Sequence, residues 1–138
     1  MSEAKKQKTE TELVVYEVNI DVPDELADDF AAWLAPHAAD LVALDDCRFL
    51  SAEVFTREDL DDASAGNRLF TVVYKLKDRE GLQRYLDVHA PRLRGDLPEK
   101  FHGKLAFTRR IMGRTSHVAC AALATAQSAL AAAAASKP

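Results

Sequence analysis

Hydrophobic and polar positions alternate along four segments of the chain, which is typical of β-strands that bury one face. The segments are residues 13–22, 48–56, 68–77 and 105–112. In the first segment the apolar positions are Val14, Tyr16, Val18, Ile20 and Val22, and the polar ones are Glu17, Asn19 and Asp21. In the second, Leu50, Ala52 and Val54 alternate with Phe49, Ser51, Glu53 and Phe55. The pattern therefore predicts a sheet with one apolar and one mixed face.

Two other segments have the 3.6-residue spacing of amphipathic helices. The first begins at Pro23 and carries Leu26, Phe30, Trp33, Leu34, His37, Leu41 and Leu44 on one stripe. Pro36 is expected to kink it or to free a backbone carbonyl near Ala32. The second covers residues 82–94, with Leu82, Tyr85, Leu86, His89 and Leu93 on its stripe. Asp78 is its expected N-cap, and Pro91 should disturb its last turns.

The order of these elements is β-α-β-β-α-β, which predicts the α+β, ferredoxin-like arrangement. In this arrangement a four-stranded antiparallel sheet carries two helices on one face. We expect the opposite face to carry Val15, Phe49, Phe55 and Val73 among Glu17, Asn19, Glu53, Thr71 and Lys75. Such a face is too apolar to remain in water, so we expect a second copy to cover it and form a homodimer.

Composition narrows the function classes. The chain has 138 residues, which suggests one domain, and its formal net charge of −4 argues against a nucleic-acid partner. Its two cysteines are too few and too distant for a disulfide framework. No stretch predicts a secretory signal or a membrane span, so a cytoplasmic location is expected. We expect three regions: a disordered lead over residues 1–12, a folded domain over 13–112, and an Ala-rich tail over 113–138, helical if ordered.

Several short sequence motifs resemble those of a known family. They are Tyr16-Glu17-Val18-Asn19, Trp33-x-x-Pro36-His37, Phe49-Leu50-Ser51-Ala52-Glu53, Tyr85-Leu86-x-x-His89-Ala90-Pro91-Arg92-Leu93-Arg94 and Arg109-Arg110. Together, over about residues 14–112, they resemble an uncharacterised family, mostly bacterial, in the dimeric α/β-barrel superfamily. The resemblance implies a ferredoxin-like protomer and a barrel-like dimer. It implies no reaction, because superfamily members range from cofactor-free monooxygenases and cyclases to effector-binding modules, and a shared fold does not determine function.

The candidate catalytic residues are His37, His89 and Tyr85, and the candidate ligand-binding residues are Tyr16, Trp33, Tyr74 and Arg92. Both histidines lie on an apolar helical stripe, so we expect both imidazoles in one interior layer, where they could act as acid or base. Equally, each could be a structural histidine bonded to a carbonyl freed by the neighbouring proline. Arg92 and Arg94 could bind a carboxylate or simply favour a helix C-terminus. Ligand spacing for a metal is missing, so no metal or cofactor is expected.

A second group of candidate residues is polar and comprises Glu17, Asn19, Glu53, Lys75 and Arg109 or Arg110. It could form a polar pocket at the dimer interface, or ion pairs that fix strand register. Two functions remain open. The first is a dimeric domain that binds a protein or a small apolar or aromatic ligand. The alternative is a cofactor-independent enzyme that uses His and Tyr chemistry in a pocket of a few hundred Å³ between helices and sheet.

Overall fold

The computed structural model describes residues 13–59 and 65–121. In chain order its elements are β1 (Val14–Pro23), α1 (Asp24–Val42), β2 (Phe49–Thr56), β3 (Asn67–Leu76), α2 (Arg79–Arg84), a π-helical turn (Tyr85–His89), α3 (Ala90–Gly95), a 3₁₀ turn (Glu99–Phe101) and β4 (Ala106–Gly113). The strands form one antiparallel sheet in the order β2-β3-β1-β4. This is the predicted ferredoxin-like fold, with the second helix broken into three pieces.

The central strand β1 sets the register of the sheet. Tyr16 lies opposite Tyr74 on β3 and opposite Ile111 on β4. The alternating positions predicted to face the helices are buried, from Val14 to Val22. From α1, Phe30, Leu34 and Leu41 complete the core. The apolar stripe of α1 and the apolar face of β1 are therefore confirmed as the two sides of one hydrophobic layer.

Strand β2 departs from the predicted alternation at its first residues. Phe49 pairs with Leu76 and Ser51 with Lys75, so Leu50 is an extra residue in the register. Such a bulge reverses the faces on one side of it. Phe49 therefore packs against Tyr74 and Tyr85, with ring centroids 5.7 and 5.6 Å apart. Its predicted place on the outer face is wrong, because strict alternation does not survive an inserted residue.

The second helical region begins as predicted. The Asp78 side chain accepts a hydrogen bond from the Gly81 backbone N–H at 2.9 Å and caps α2. The expected disturbance near Pro91 takes the form of the π-helical turn, in which the Ala90 N–H bonds to the Tyr85 carbonyl. Because Pro91 has no N–H and its ring crowds the preceding turn, a wider turn relieves the conflict. In contrast, α1 continues through Pro36 to Val42.

The described part of the C-terminal region adds little regular structure. Gly113, the first residue of the predicted tail, still pairs with Val14 in the sheet. Residues 114–120 have no helix or strand. The predicted disordered lead over residues 1–12 and the Ala-rich residues 122–138 lie outside the described residues. Among the helices of residues 13–59 and 65–121, none has the length and apolarity needed to cross a bilayer.

Candidate ligand-binding cavity

A cavity of about 130 Å³ lies between the helices and the sheet. Four of the predicted ligand-binding and catalytic aromatic residues line it, namely Tyr16, Trp33, Tyr74 and Tyr85. Aliphatic side chains such as Val18, Leu41 and Val72 supply the rest of its apolar wall. The volume is below the few hundred Å³ expected, and it is slightly smaller than an apolar cavity of roughly 150 Å³ that binds benzene. The space therefore suits a molecule with one aromatic ring.

Three tyrosines give the apolar wall its polar groups. The Tyr16 ring lies 5.9 Å from the Tyr74 ring and 6.0 Å from the Tyr85 ring, measured between centroids. Burial raises the pKa of Tyr85 to about 12, and the neighbouring Tyr16 adds to the effect. Burial also raises the pKa of Tyr74. Both phenols are therefore protonated at neutral pH and can donate a hydrogen bond.

His37 enters the cavity from α1, four residues after Trp33. The two rings stack with centroids 4.3 Å apart and an interplanar angle of 19°. Burial lowers the pKa of His37, although the charges of Asp40 and Asp96 oppose the shift. The imidazole is therefore neutral at pH 7 and able to accept a proton. The predicted position of His37 in the interior layer is confirmed.

The prediction that His89 shares this layer is wrong, since His89 does not line the cavity. Its Nε2 lies 2.9 and 3.0 Å from the two carboxylate oxygens of Asp46. Because His89 ends the π-helical turn, the 3.6-residue period that placed it beside Tyr85 does not hold there. Its catalytic role stays a prediction, and the structure gives it a place in an ion-pair cluster instead.

That cluster is centred on Asp46, which also accepts a hydrogen bond from Arg84 Nε at 2.8 Å. The hydrogen bond from Arg84, and to a smaller extent the one from His89, holds the pKa of Asp46 far below its usual range. In the described part of the chain, Asp46, Cys47 and His89 could approach one metal ion, with ligand atoms within 4.8 Å of one another. Burial, and to a smaller extent the hydrogen bond and negative charge of Asp46, raises the pKa of the Cys47 thiol to about 11. Because Asp46 already pairs with Arg84 and His89, the cluster has the arrangement of a structural anchor between the segment before β2 and the second helical region.

Two arginines line the cavity: Arg94, which the sequence suggested together with Arg92 for binding a carboxylate, and Arg109, which it suggested only for the outer face. All three arginines are exposed, but only Arg94 and Arg109 line the cavity, and Arg92 lies outside it. Arg94 Nη2 donates a hydrogen bond to the Tyr16 hydroxyl at 3.1 Å. Arg109 lies opposite Val18 on β1, and therefore on the helix side of the sheet. The choice of Arg92 as a ligand-binding residue thus receives no support from its position.

The outer face of the sheet carries a chain of hydrogen bonds across three strands. Arg110 donates to Glu17 from Nε at 2.7 Å and contacts it from Nη2 at 2.6 Å. Asn19 donates to Glu17 at 2.9 Å, and Thr71 donates to Asn19 at 2.6 Å. The hydrogen bond from Asn19, and to a smaller extent the one from Arg110, lowers the pKa of Glu17. The second group of polar candidates, on the outer face of the sheet, therefore includes Arg110 and not Arg109.

The fold is similar to several solved structures of low sequence identity. A dimeric ferredoxin-like protein from an uncultured marine organism has a TM-score of 0.55 and 12% identity, covering 77% of this chain and 98% of its own. A putative antibiotic biosynthesis monooxygenase from Bacillus cereus has a TM-score of 0.51 and 10% identity, covering 78% and 98%. A de novo designed protein has a TM-score of 0.50 and 18% identity, covering 77% and 100%. At these identities the likeness concerns the fold alone.

No curated protein matches the chain in sequence. A family model does match it, over residues 13–115. That range begins one residue before β1 and ends two residues after β4, so it contains every strand and helix from β1 to β4. The chain therefore belongs to the family described as a domain of unknown function, DUF4286.

Proposed function

We propose that this protein is a homodimeric domain that binds a small apolar or aromatic molecule in the cavity between its helices and its sheet. The observation that carries the proposal is the 130 Å³ space walled by the rings of Trp33, Tyr74 and Tyr85. Protein interiors are packed closely enough that few voids exceed a water molecule. An apolar space of this size beside polar hydroxyl and imidazole groups is the arrangement common to small-molecule sites.

Trp33 offers a direct test, because it is the one tryptophan of the chain and lines the cavity. Titration with benzyl alcohol should change its fluorescence in a saturable way. For a ligand of so few atoms we expect a dissociation constant on the order of 1 mM. Leu41→Phe, which fills the cavity, should abolish the change. Leu26→Phe, on the same helix but outside the lining, should retain it; a linear response in the wild type, or equal loss in both variants, would contradict the proposal.

The proposed dimer rests on the outer face of the sheet. Phe55 on β2 is 48% exposed there, next to the half-buried Val73 of the neighbouring strand. A second copy would cover both around a two-fold axis, which is the commonest symmetry of soluble oligomers. The similar marine protein is described as dimeric, which supports a dimer here as well.

Adjacent residues of β2 provide a matched test of this interface. Phe55 points to the outer face, and Val54, 43% exposed, points to the opposite side. Phe55→Lys should produce a monomer, because it places a charge in the apolar part of the interface. Val54→Lys should remain a dimer of twice the 15.2-kDa chain mass. Light scattering coupled to size exclusion measures both; a monomeric wild type, or dissociation of both variants alike, would argue against this interface.

Acid–base catalysis in the same cavity is the second candidate function. The observation that favours it is that the neutral imidazole of His37 and the protonated phenols of Tyr74 and Tyr85 line the same cavity. A neutral base beside hydrogen-bond donors is a suitable arrangement for removing a proton from an enolisable molecule. The similar Bacillus cereus structure carries the description of a putative monooxygenase, so its fold is compatible with enzymatic use.

A further inference from the structure

Two guanidinium groups line the cavity and have no carboxylate partner among the described residues. Arg94 bonds to the Tyr16 hydroxyl, and Arg109 lies over the Phe107 ring with its Cζ 5.1 Å from the centroid. No Asp or Glu belongs to the lining, and neither arginine pairs with a carboxylate of the described residues. By contrast, Arg84 and Arg110 each contact an acidic side chain within 3 Å. The cavity wall therefore carries positive charge that a ligand can neutralise.

The two positive charges act on the same part of the cavity. Both Arg94 and Arg109 favour the ionised form of Tyr85, against the effect of burial. Arg94 belongs to α3 and Arg109 to the edge strand β4. Tyr16, whose hydroxyl bonds to Arg94, and the buried Tyr74 and Tyr85 line the same cavity, and their hydroxyl groups can also donate hydrogen bonds. This set of donors is complementary to a planar anion with two oxygens.

We infer that the ligand of the cavity is a small aromatic monocarboxylate, whose ring occupies the space beside Trp33 and whose carboxylate binds Arg94 and Arg109. The inference rests on the proposed function, and it adds the chemical class of the ligand. The apolar wall favours an aromatic ring in the ligand, because burial of that ring supplies the non-directional part of the affinity. The paired guanidinium groups account for the charge, since charge-assisted bonds are about twice as strong as neutral ones.

Two probes of nearly equal size test the inference through Trp33 fluorescence. Benzoate carries the carboxylate, and benzyl alcohol replaces it with a neutral hydroxyl. We expect wild-type protein to bind benzoate at least tenfold more tightly, as an order-of-magnitude estimate for a charge-assisted pair. Arg94→Gln and Arg109→Gln should each remove most of this preference, because each should weaken the binding of benzoate much more than that of benzyl alcohol. Arg92→Gln, an exposed arginine of the same helix as Arg94, is the matched control and should keep the preference.

The outcomes separate the two levels of the proposal. If benzyl alcohol binds and benzoate binds no more tightly, the inference is wrong and the proposed function stands. If the preference survives both cavity variants, or falls equally in Arg92→Gln, the assignment to Arg94 and Arg109 is wrong. If neither probe binds the wild type, the proposed function itself fails. The comparison within the wild type does not depend on how well any variant folds.

Discussion

Replacing Gly81 with alanine is expected to lower the free energy of unfolding by about 3 kcal/mol, the upper end of the usual cost of overpacking. A Cβ atom at this position would lie 2.0 Å from the Cys47 carbonyl oxygen and 2.9 Å from its carbonyl carbon. Both are backbone atoms, so no side-chain rotation relieves the clash. Separation of the two segments would also disturb the Asp78 cap, which bonds to the Gly81 N–H.

Urea unfolding followed by circular dichroism measures this loss. Gly95→Ala is the matched control, because Gly95 is also helical and its Cβ would meet nothing within 4 Å. There we expect a small gain of about 0.5 kcal/mol, from the higher helix propensity of alanine and its smaller unfolded-state entropy. Equal stability of the two alanine variants would show that α2 does not approach the segment before β2 as closely as the structure has it.

Replacing Phe30 with alanine is expected to cost about 3–5 kcal/mol, the range for large aromatic residues in a packed core. Phe30 is fully buried and lies at the centre of an aromatic cluster. Its ring centroid is 5.6 Å from that of Trp33, 5.7 Å from that of Phe70 and 5.4 Å from that of Phe101. These contacts join α1 to the sheet and to the 3₁₀ turn, so the cavity created by truncation cannot close by moving one element.

Thermal and chemical unfolding of Phe30→Ala can be compared with Leu50→Ala. Leu50 is 55% exposed at the bulge of β2, so its truncation should change the free energy of unfolding by less than about 0.5 kcal/mol. Phe30 also lines the cavity. The Phe30→Ala variant has a larger cavity, so it should discriminate less between benzyl alcohol and larger aromatic alcohols. A cost below 1 kcal/mol for Phe30→Ala would mean that the predicted stripe of α1 does not form the core.

The sequence predicted the fold because its hydrophobic periods are regular over most elements. Residues 14–22 alternate without interruption, and the apolar stripe of α1 holds over its whole length, despite Pro36. The Asp78 cap was recognisable from residue type alone. Each of these signals is local, so no knowledge of neighbouring strands was needed to interpret it.

The candidate site was predicted only in part, because two local insertions change which side chains meet. The bulge at Leu50 turned Phe49 towards Tyr85, and the π-helical turn separated His89 from His37. One extra residue in a helical turn changes the direction of a side chain by about 100°, so His89 leaves the predicted stripe. Pro91 signals a disturbance there, but it does not specify the form.

The place of Arg109 at the cavity was not predicted, for a different reason. β4 is the edge strand beside β1, and its pairing of Arg109 with Val18 places the arginine on the helix side of the sheet. The side chain stays exposed there, so hydrophobic alternation, which is weak in this strand, does not indicate its face. Register between distant strands, and not local sequence, determines that Arg109 and Arg94 line one cavity.

A crystal structure of the protein with benzyl alcohol would show directly whether the cavity binds an aromatic ring. We expect one bound molecule in the cavity, with its ring against Trp33, Tyr74 and Tyr85 and its hydroxyl towards Tyr16 or His37. A cavity closed by these side chains, with the probe absent or bound only elsewhere on the surface, would contradict this expectation. Function would then have to be sought on the outer face of the sheet.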